Sequence, residues 1–219
     1  MLTIYGVYRS RASRNYWLLE ELGIPFKSVA VIQKGRVAKP DAPDAPLHSR
    51  SPAFLKTNPN GHVPSMDDGG LILHESLAIN LYLAKKHGGP LAPANLAEDG
   101  QMTMWSLWAV TEVEGAALNV MQNRVAKPPA DRDAKAAAAS VETLRAPFAV
   151  LDRHLAAGGG WLVGQRFTVA DINLAECVRY AQSAPELFEG AANVKAWLAA
   201  CHARPAFKTM WAKRDAEPA

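Results

Sequence analysis

Ser65-Met66-Asp67-Asp68-Gly69-Gly70-Leu71-Ile72-Leu73-His74, running on into Glu75-Ser76-Leu77-Ala78-Ile79-Asn80-Leu81, is the stretch that decides the fold. Two short runs on either side of Asp68-Gly69-Gly70 spell a β-hairpin with an Asp-Gly turn. A helix is predicted over 76–87, with Leu77, Leu81 and Ala84 on one face and Gly88-Gly89 as its C-cap. Working back towards the N-terminus, Asn58-Pro59 stops a short helix that begins at Ser51-Pro52. Residues 34–52 carry Pro40, Pro43, Pro46 and Pro52 and read as a long loop. Phe26 to Ile32 alternates apolar and polar residues, as a strand does. Ser10 to Gly23 reads as a helix: Ser10 and Ser13 offer caps, Leu18, Leu19 and Leu22 form the apolar face, and Gly23 with Pro25 ends it. Leu2 to Tyr5 is a short buried strand. A strand, a helix and a strand this close together imply a parallel pair with a right-handed crossover. The order is β-α-β-α-β-β-α.

Beyond Gly89-Pro90-Leu91-Ala92-Pro93 the composition changes to an alanine-rich, helical one. Helices are predicted near 98–125, 131–157, 168–182 and 191–203, separated by Pro128-Pro129, Gly158 to Gly160, Pro185 and Pro205. Pro147 is expected to kink or divide the second of them. The chain therefore reads as an α/β domain over 1–88, a linker over 89–97 and an all-helical bundle over 98–219. With 219 residues, 49% hydrophobic and 21% charged, the composition excludes a disordered, collagen-like or coiled-coil architecture. No run is apolar for the roughly 18 residues that a membrane span needs. The N-terminus lacks the basic and apolar regions of a secretory signal, so Cys177 and Cys201 are expected to be reduced thiols in a cytoplasmic protein. The net charge of +3 comes from scattered residues, which argues against a nucleic-acid or membrane partner.

The order of elements in the first half is that of a thioredoxin-like domain. Four motifs carry a more specific resemblance, spread over essentially the whole chain. The first is Ser10-Arg11-Ala12-Ser13-Arg14 followed by Trp17-Leu18-Leu19-Glu20-Glu21-Leu22-Gly23. The second is Phe54-Leu55-Lys56-Thr57-Asn58-Pro59-Asn60-Gly61-His62-Val63-Pro64. The third is His74-Glu75-Ser76-Leu77, and the last is Phe167-Thr168-Val169-Ala170-Asp171-Ile172. In this order and at these separations the chain resembles the cytosolic glutathione transferases. That resemblance implies glutathione as co-substrate, no metal, a homodimer, and conjugation of the glutathione thiolate to a small hydrophobic electrophile.

The residues give their own account of such a site. An X-Pro bond adopts cis cheaply, and a cis Val63-Pro64 bond would turn the Val63 N–H and C=O towards an extended peptide that pairs as an added strand. Ser76 at a helix N-terminus is a cap, but the same backbone N–H and hydroxyl suit a carboxylate. Glu75 beside it suits an ammonium group. Together they fit the γ-glutamyl end of glutathione, and the matching pair in the family does this. His62 is placed to reach the glycine carboxylate; Lys56 and Asn58 are left unassigned. A free thiol titrates near 8.5; the resemblance implies that a Tyr, Ser or Cys near the start of the first helix activates it, and a hydroxyl donating to the sulfur there, assisted by the helix N-terminus, would stabilise the thiolate. No cysteine lies in the first 176 residues. Ser10 falls where serine-type members place their hydroxyl and is the catalytic candidate, with Ser13, Tyr5, Tyr8 and backbone N–H groups as alternatives. Arg11 or Arg14 adds positive potential there, though arginines in such turns are usually solvated.

Thr168 to Asp171 is a capping-box pattern with Phe167 and Ile172 as its hydrophobic staple, a folding element and not chemistry. Trp105, Trp108, Glu112 and Glu114 lie on the long helix near 98–125, where aromatics are core by default. The resemblance makes Trp108 and Glu114, with Tyr8, candidates for the second-substrate pocket. Two other readings compete with conjugation: a glutathione-dependent isomerase, dehalogenase or peroxidase of narrow specificity, and a transferase-like scaffold for protein contacts.

Overall fold

The computed structural model describes residues 1–217. Leu2–Tyr5 (β1), Lys27–Val29 (β2), Ser65–Asp68 (β3) and Leu71–His74 (β4) form one sheet in the order β2-β1-β3-β4. β1 runs parallel to β2 and antiparallel to β3, in register at Ile4 with Ser28 and Met66. The parallel pair is joined by Ser13–Leu22 (α1), as the short strand–helix–strand spacing requires. Gly23 ends α1 in the left-handed region at φ 64°, a conformation that glycine enters without steric cost. β3 and β4 form the hairpin, but its two-residue turn is Gly69-Gly70, both at positive φ, with Asp68 still in the ladder. Asp67 accepts the Gly70 N–H at 2.8 Å, so the expected Asp-Gly turn is shifted by one residue. β2 is shorter than the alternation over 26–32 implies.

Pro52–Leu55 (α2) follows the loop, which contains a single 3-10 turn at Lys34–Arg36 and an isolated bridge between Ile32 and His48. Ser76–His87 (α3) occupies the predicted residues. Leu96–Trp108 (α4) and Gly115–Met121 (α5) belong to one long helical run, interrupted by π-helical segments at Ala109–Glu114 and Gln122–Ala126. Ala134–Ala157 (α6) continues through Pro147 as one helix, so the proline does not divide it. Val169–Val178 (α7) is buried along its entire length. Pro185–Glu189 (α8), Ala192–Ala203 (α9) and Pro205–Ala216 (α10) complete the chain.

Two compact units result, each with its own core. One holds residues 1–87 together with the chain from Pro205 onward; the other holds Gly88–Arg204. The sequence reading differs here, because it placed everything after 98 in the helical bundle and read Pro205 as a stop. Pro205 instead opens a helix, a first-turn position that suits proline. That helix packs on α1: Trp17 is fully buried with Phe207 edge-on to it, ring centroids 4.9 Å apart. The segment read as a linker belongs to the second unit, where Leu91 and Ala92 are buried and Leu91 accepts the Val169 N–H at 3.1 Å. Among the described residues no helix is long and apolar enough to cross a membrane, and no cluster of His, Cys, Asp and Glu is arranged to hold a metal.

Candidate active site

β1 ends at Tyr5, and after Gly6 the chain turns over Val7–Ser10 into α1. A Cβ on Gly6 would lie 2.7 Å from the Ala12 Cβ, with the Ser10 hydroxyl oxygen and the Val63 Cβ at 3.6 and 3.8 Å. The absence of a side chain is what lets the turn close against the segment before β3. Ser10 is 7% exposed. Its hydroxyl donates to the Val7 carbonyl at 2.7 Å and accepts the Ala12 N–H at 3.1 Å, so it braces the turn that leads into the helix. Ser13 is fully buried inside α1. The Tyr8 ring stacks on Tyr16, centroids 4.1 Å apart. Burial pushes the Tyr8 hydroxyl above its ordinary pKa, with the Lys213 ammonium opposing.

The Val63–Pro64 peptide bond is cis. Asn58, left without a role by sequence, organises the loop in front of it. Its side-chain amide donates to the His62 carbonyl at 2.9 Å and to the Ser65 hydroxyl at 3.1 Å, while its oxygen accepts the Asn60 N–H at 3.0 Å. Among the described residues the Val63 N–H and C=O meet no hydrogen-bond partner. The His62 ring is exposed. Arg50, which sequence reasoning missed, donates to the Asn60 carbonyl at 3.2 Å and lies across Gly61, within 2.8 Å of where its Cβ would be. Arg50 thus places a cation against the Asn60-Gly61 turn that leads to Val63; its sequence signal was only a basic residue ahead of Ser51-Pro52.

Glu75 stands at φ 65°, one of two non-glycine residues in the left-handed region among the described residues, a position that costs about 1 kcal/mol or more and collects at functional sites. Its carboxylate is exposed and meets no partner among the described residues. Ser76 is buried behind it. The Ser76 hydroxyl accepts from Arg14 at 3.1 Å and its carbonyl from Asn15 at 2.9 Å. Asn15 also donates to Asn80 at 2.7 Å, and Asn80 donates to the Arg14 carbonyl at 3.2 Å. Arg14 is therefore no solvated arginine: its guanidinium is buried and directed at Ser76. The arrangement puts a buried cation and a helix N-terminus behind a hydroxyl, with a free carboxylate in front. Such a pair suits a group carrying both a carboxylate and an ammonium.

In the helical unit the expected capping box is present. Asp171 accepts the Thr168 N–H at 2.8 Å, the Thr168 hydroxyl at 3.0 Å, the Leu162 N–H at 3.2 Å and the Trp197 indole N–H at 2.8 Å. Burial raises its carboxyl to about 6 against the pull of these donors. Trp108 is half-buried and edge-on to Trp105 at 5.1 Å. Glu114 is only 8% exposed, inside the unit and not on an open face.

Two family descriptions match the sequence: the glutathione S-transferase N-terminal domain over residues 4–91 and the C-terminal domain over 120–205. Glutathione S-transferase GstB of Escherichia coli K12 is 30% identical over 215 residues, covering 95% of this chain and 96% of that one. Glutathione S-transferase 3 of Zea mays is 30% identical over 217 residues, covering 94% and 91%. The crystal structure of the theta class enzyme of Xanthomonas axonopodis pv. citri with glutathione bound superposes with a TM-score of 0.75 at 28% identity, covering 95% of each chain. The chain belongs to the glutathione S-transferase family.

Proposed function

We propose that the protein conjugates the glutathione thiolate to small electrophilic, hydrophobic substrates. One observation carries the reading: unspent pairing groups on Val63 and an unspent carboxylate on Glu75 flank a hydroxyl backed by a buried arginine. Being accessible, these groups are met by water in the free protein and can exchange it for the polar groups of a ligand. In this reading the cysteinyl backbone of glutathione pairs with Val63 beside Pro64, the γ-glutamyl carboxylate meets Ser76 and Arg14, its ammonium meets Glu75, and the glycine carboxylate meets His62 and Arg50. Ser10 donates to the sulfur. Its hydroxyl already points at a carbonyl acceptor, Val7, so thiolate binding exchanges one acceptor for a charged one, a stronger bond. The reaction then needs only positioning and thiolate stabilisation. The unspent groups favour catalysis over a scaffold role, which has no use for them.

A cytoplasmic homodimer belongs to the same reading; Leu71 and Ile72 on the edge strand and Met104 and Leu107 on α4 are exposed apolar side chains suited to such a contact. Light scattering measures its size. The test of the function combines calorimetric titration with glutathione, turnover of an aryl halide, and thiolate absorbance of the complex against pH. Ser10→Ala is expected to move the bound thiol towards 8.5, with glutathione affinity little changed. Absence of glutathione binding sinks the reading. An unmoved titration in Ser10→Ala, with a shift in Ser13→Ala or Tyr8→Phe, removes Ser10 from its role.

A further inference from the structure

The turn that carries Ser10 is held from the far end of the chain. Val7–Ser10 closes on itself through the Ser10 N–H to the Val7 carbonyl at 3.1 Å. Such a turn leaves the N–H and C=O groups of its two central residues, Tyr8 and Arg9, without internal partners. All four are taken by side chains. Glu217 accepts the Tyr8 N–H at 2.7 Å and the Arg9 N–H at 2.8 Å, one carboxylate oxygen to each. Arg214 donates to the Tyr8 carbonyl at 2.8 Å and Arg36 to the Arg9 carbonyl at 2.9 Å. The Arg9 side chain returns the contact, donating to the Arg214 carbonyl at 3.1 Å and the Asp215 carbonyl at 3.4 Å at the C-terminus of α10. There it both satisfies open carbonyls and complements the helix dipole.

We propose that Glu217 is a positioning residue for the reaction: its carboxylate, chelated by two successive backbone N–H groups, fixes the turn that aims the Ser10 hydroxyl at the glutathione sulfur. The proposal rests on the reading of Ser10 given above. Two charge-assisted bonds to successive amides hold the Val7–Tyr8 and Tyr8–Arg9 peptide planes, and the Arg36 bond to the Arg9 carbonyl holds the plane that leads into Ser10. A donor displaced by a fraction of an ångström from a thiolate loses much of its effect. Glu217 touches neither glutathione nor the reacting atoms in this account; it acts through the turn alone.

The experiment compares wild type, Glu217→Ala, Glu217→Gln, Ser10→Ala and the double variant Ser10→Ala/Glu217→Ala in the full-length protein. The readouts are thiolate absorbance of the glutathione complex against pH, kcat/KM for an aryl halide, amide exchange at residues 8 and 9, and melting temperature. Glu217→Ala is expected to raise the bound thiol pKa by about one unit, with about a tenfold loss of kcat/KM at neutral pH. Amide protection at Tyr8 and Arg9 falls with it. Glu217→Gln, which keeps an acceptor, recovers part of both. The double variant titrates like Ser10→Ala, because the two residues act in series. A lowered thiol pKa in Glu217→Ala overturns the proposal, since that is the sign of a carboxylate repelling the thiolate directly. An unshifted thiol with a lower melting temperature also overturns it, leaving Glu217 as a tether of α10 only. If Ser10→Ala itself leaves the titration unmoved, it is the Ser10 reading that has failed.

Discussion

Asp171 and Glu75 are both carboxylates at the start of a helix, yet they occupy opposite situations. Asp171 is buried, and four donors from Thr168, Leu162 and Trp197 consume it entirely. Glu75 is exposed, sits at φ 65°, and meets no partner among the described residues. The same contrast runs through their surroundings. Around Asp171 the polar groups answer one another. Around Glu75 the side chains of Arg14, Ser76, Asn15 and Asn80 are linked behind it, with Asn15 Oδ1 left over, while Val63 and Glu75 are open in front. A closed network fixes a fold; an open one, bought at the cost of backbone strain, is where a ligand completes the count.

The sharpest way to break this comparison is Asp171→Ala. It strands the Trp197 indole and two backbone N–H groups in the interior, at about 1–3 kcal/mol each, so a loss of about 4 kcal/mol is expected in urea unfolding. Glutathione affinity of the folded protein should not move; a large change in affinity would show the two networks to be one. The pH dependence of stability sharpens the same contrast. Asp171 folds with its carboxyl raised to about 6 by burial, above its unfolded value near 3.9. Its folded state binds the extra proton between these values, so stability falls as pH rises from about 4 to 6. Glu98 has the opposite sign. Arg166 donates to it at 2.5 and 3.0 Å and holds its carboxyl at about 2, so its contribution is present above about 4.3 and lost as pH falls through 2. Burial also holds the His202 imidazole at about 4, below its unfolded value near 6.5, a contribution that grows as pH rises from about 4 to 6.5 and offsets the Asp171 decline. A nearly flat profile is therefore expected between about pH 4 and 6 in thermal unfolding followed by fluorescence; Asp171→Asn should leave the His202 rise exposed.

The smallest effects fall on Glu75. Glu75→Gln should weaken glutathione about tenfold, the worth of one charged hydrogen bond, with stability almost unchanged. Glu75→Gly relieves the positive φ and should raise stability by about 1 kcal/mol while weakening glutathione at least as much. If Glu75→Gly destabilises, the strain assigned to this residue is wrong.

The features legible in the sequence were those whose cause is local. The bounds of α3, the left-handed Gly23, the capping box and the cis Val63–Pro64 bond each follow from a few adjacent residues. The missed features have causes elsewhere in the chain. Pro205 carries the same local signal whether it ends one helix or begins another, and only the Trp17 surface decides. The π segments within 109–126 leave no trace in composition. Pro147 is tolerated within α6, against its local reading. At the candidate site, Glu75, Ser76 and Val63 drew attention through their motifs, whereas the burial of Arg14 against Ser76 was not legible, because the two stand 62 residues apart. Glu217 and Arg50 serve backbone groups of other segments, which no periodicity marks.

The return of α10 to the first unit also sets an order of completion. During synthesis the groove on α1 that receives Phe207 is made early, and Gly88–Arg204 must be made before its occupant exists. At about 5–20 residues per second that interval lasts roughly ten seconds, during which Trp17 has no cover from Phe207. This later-made helix thus acts as a seal on a unit whose other part is made earlier. A chain cut at Arg204 would retain nearly everything that the two family descriptions match and still leave its N-terminal unit open on the α1 side.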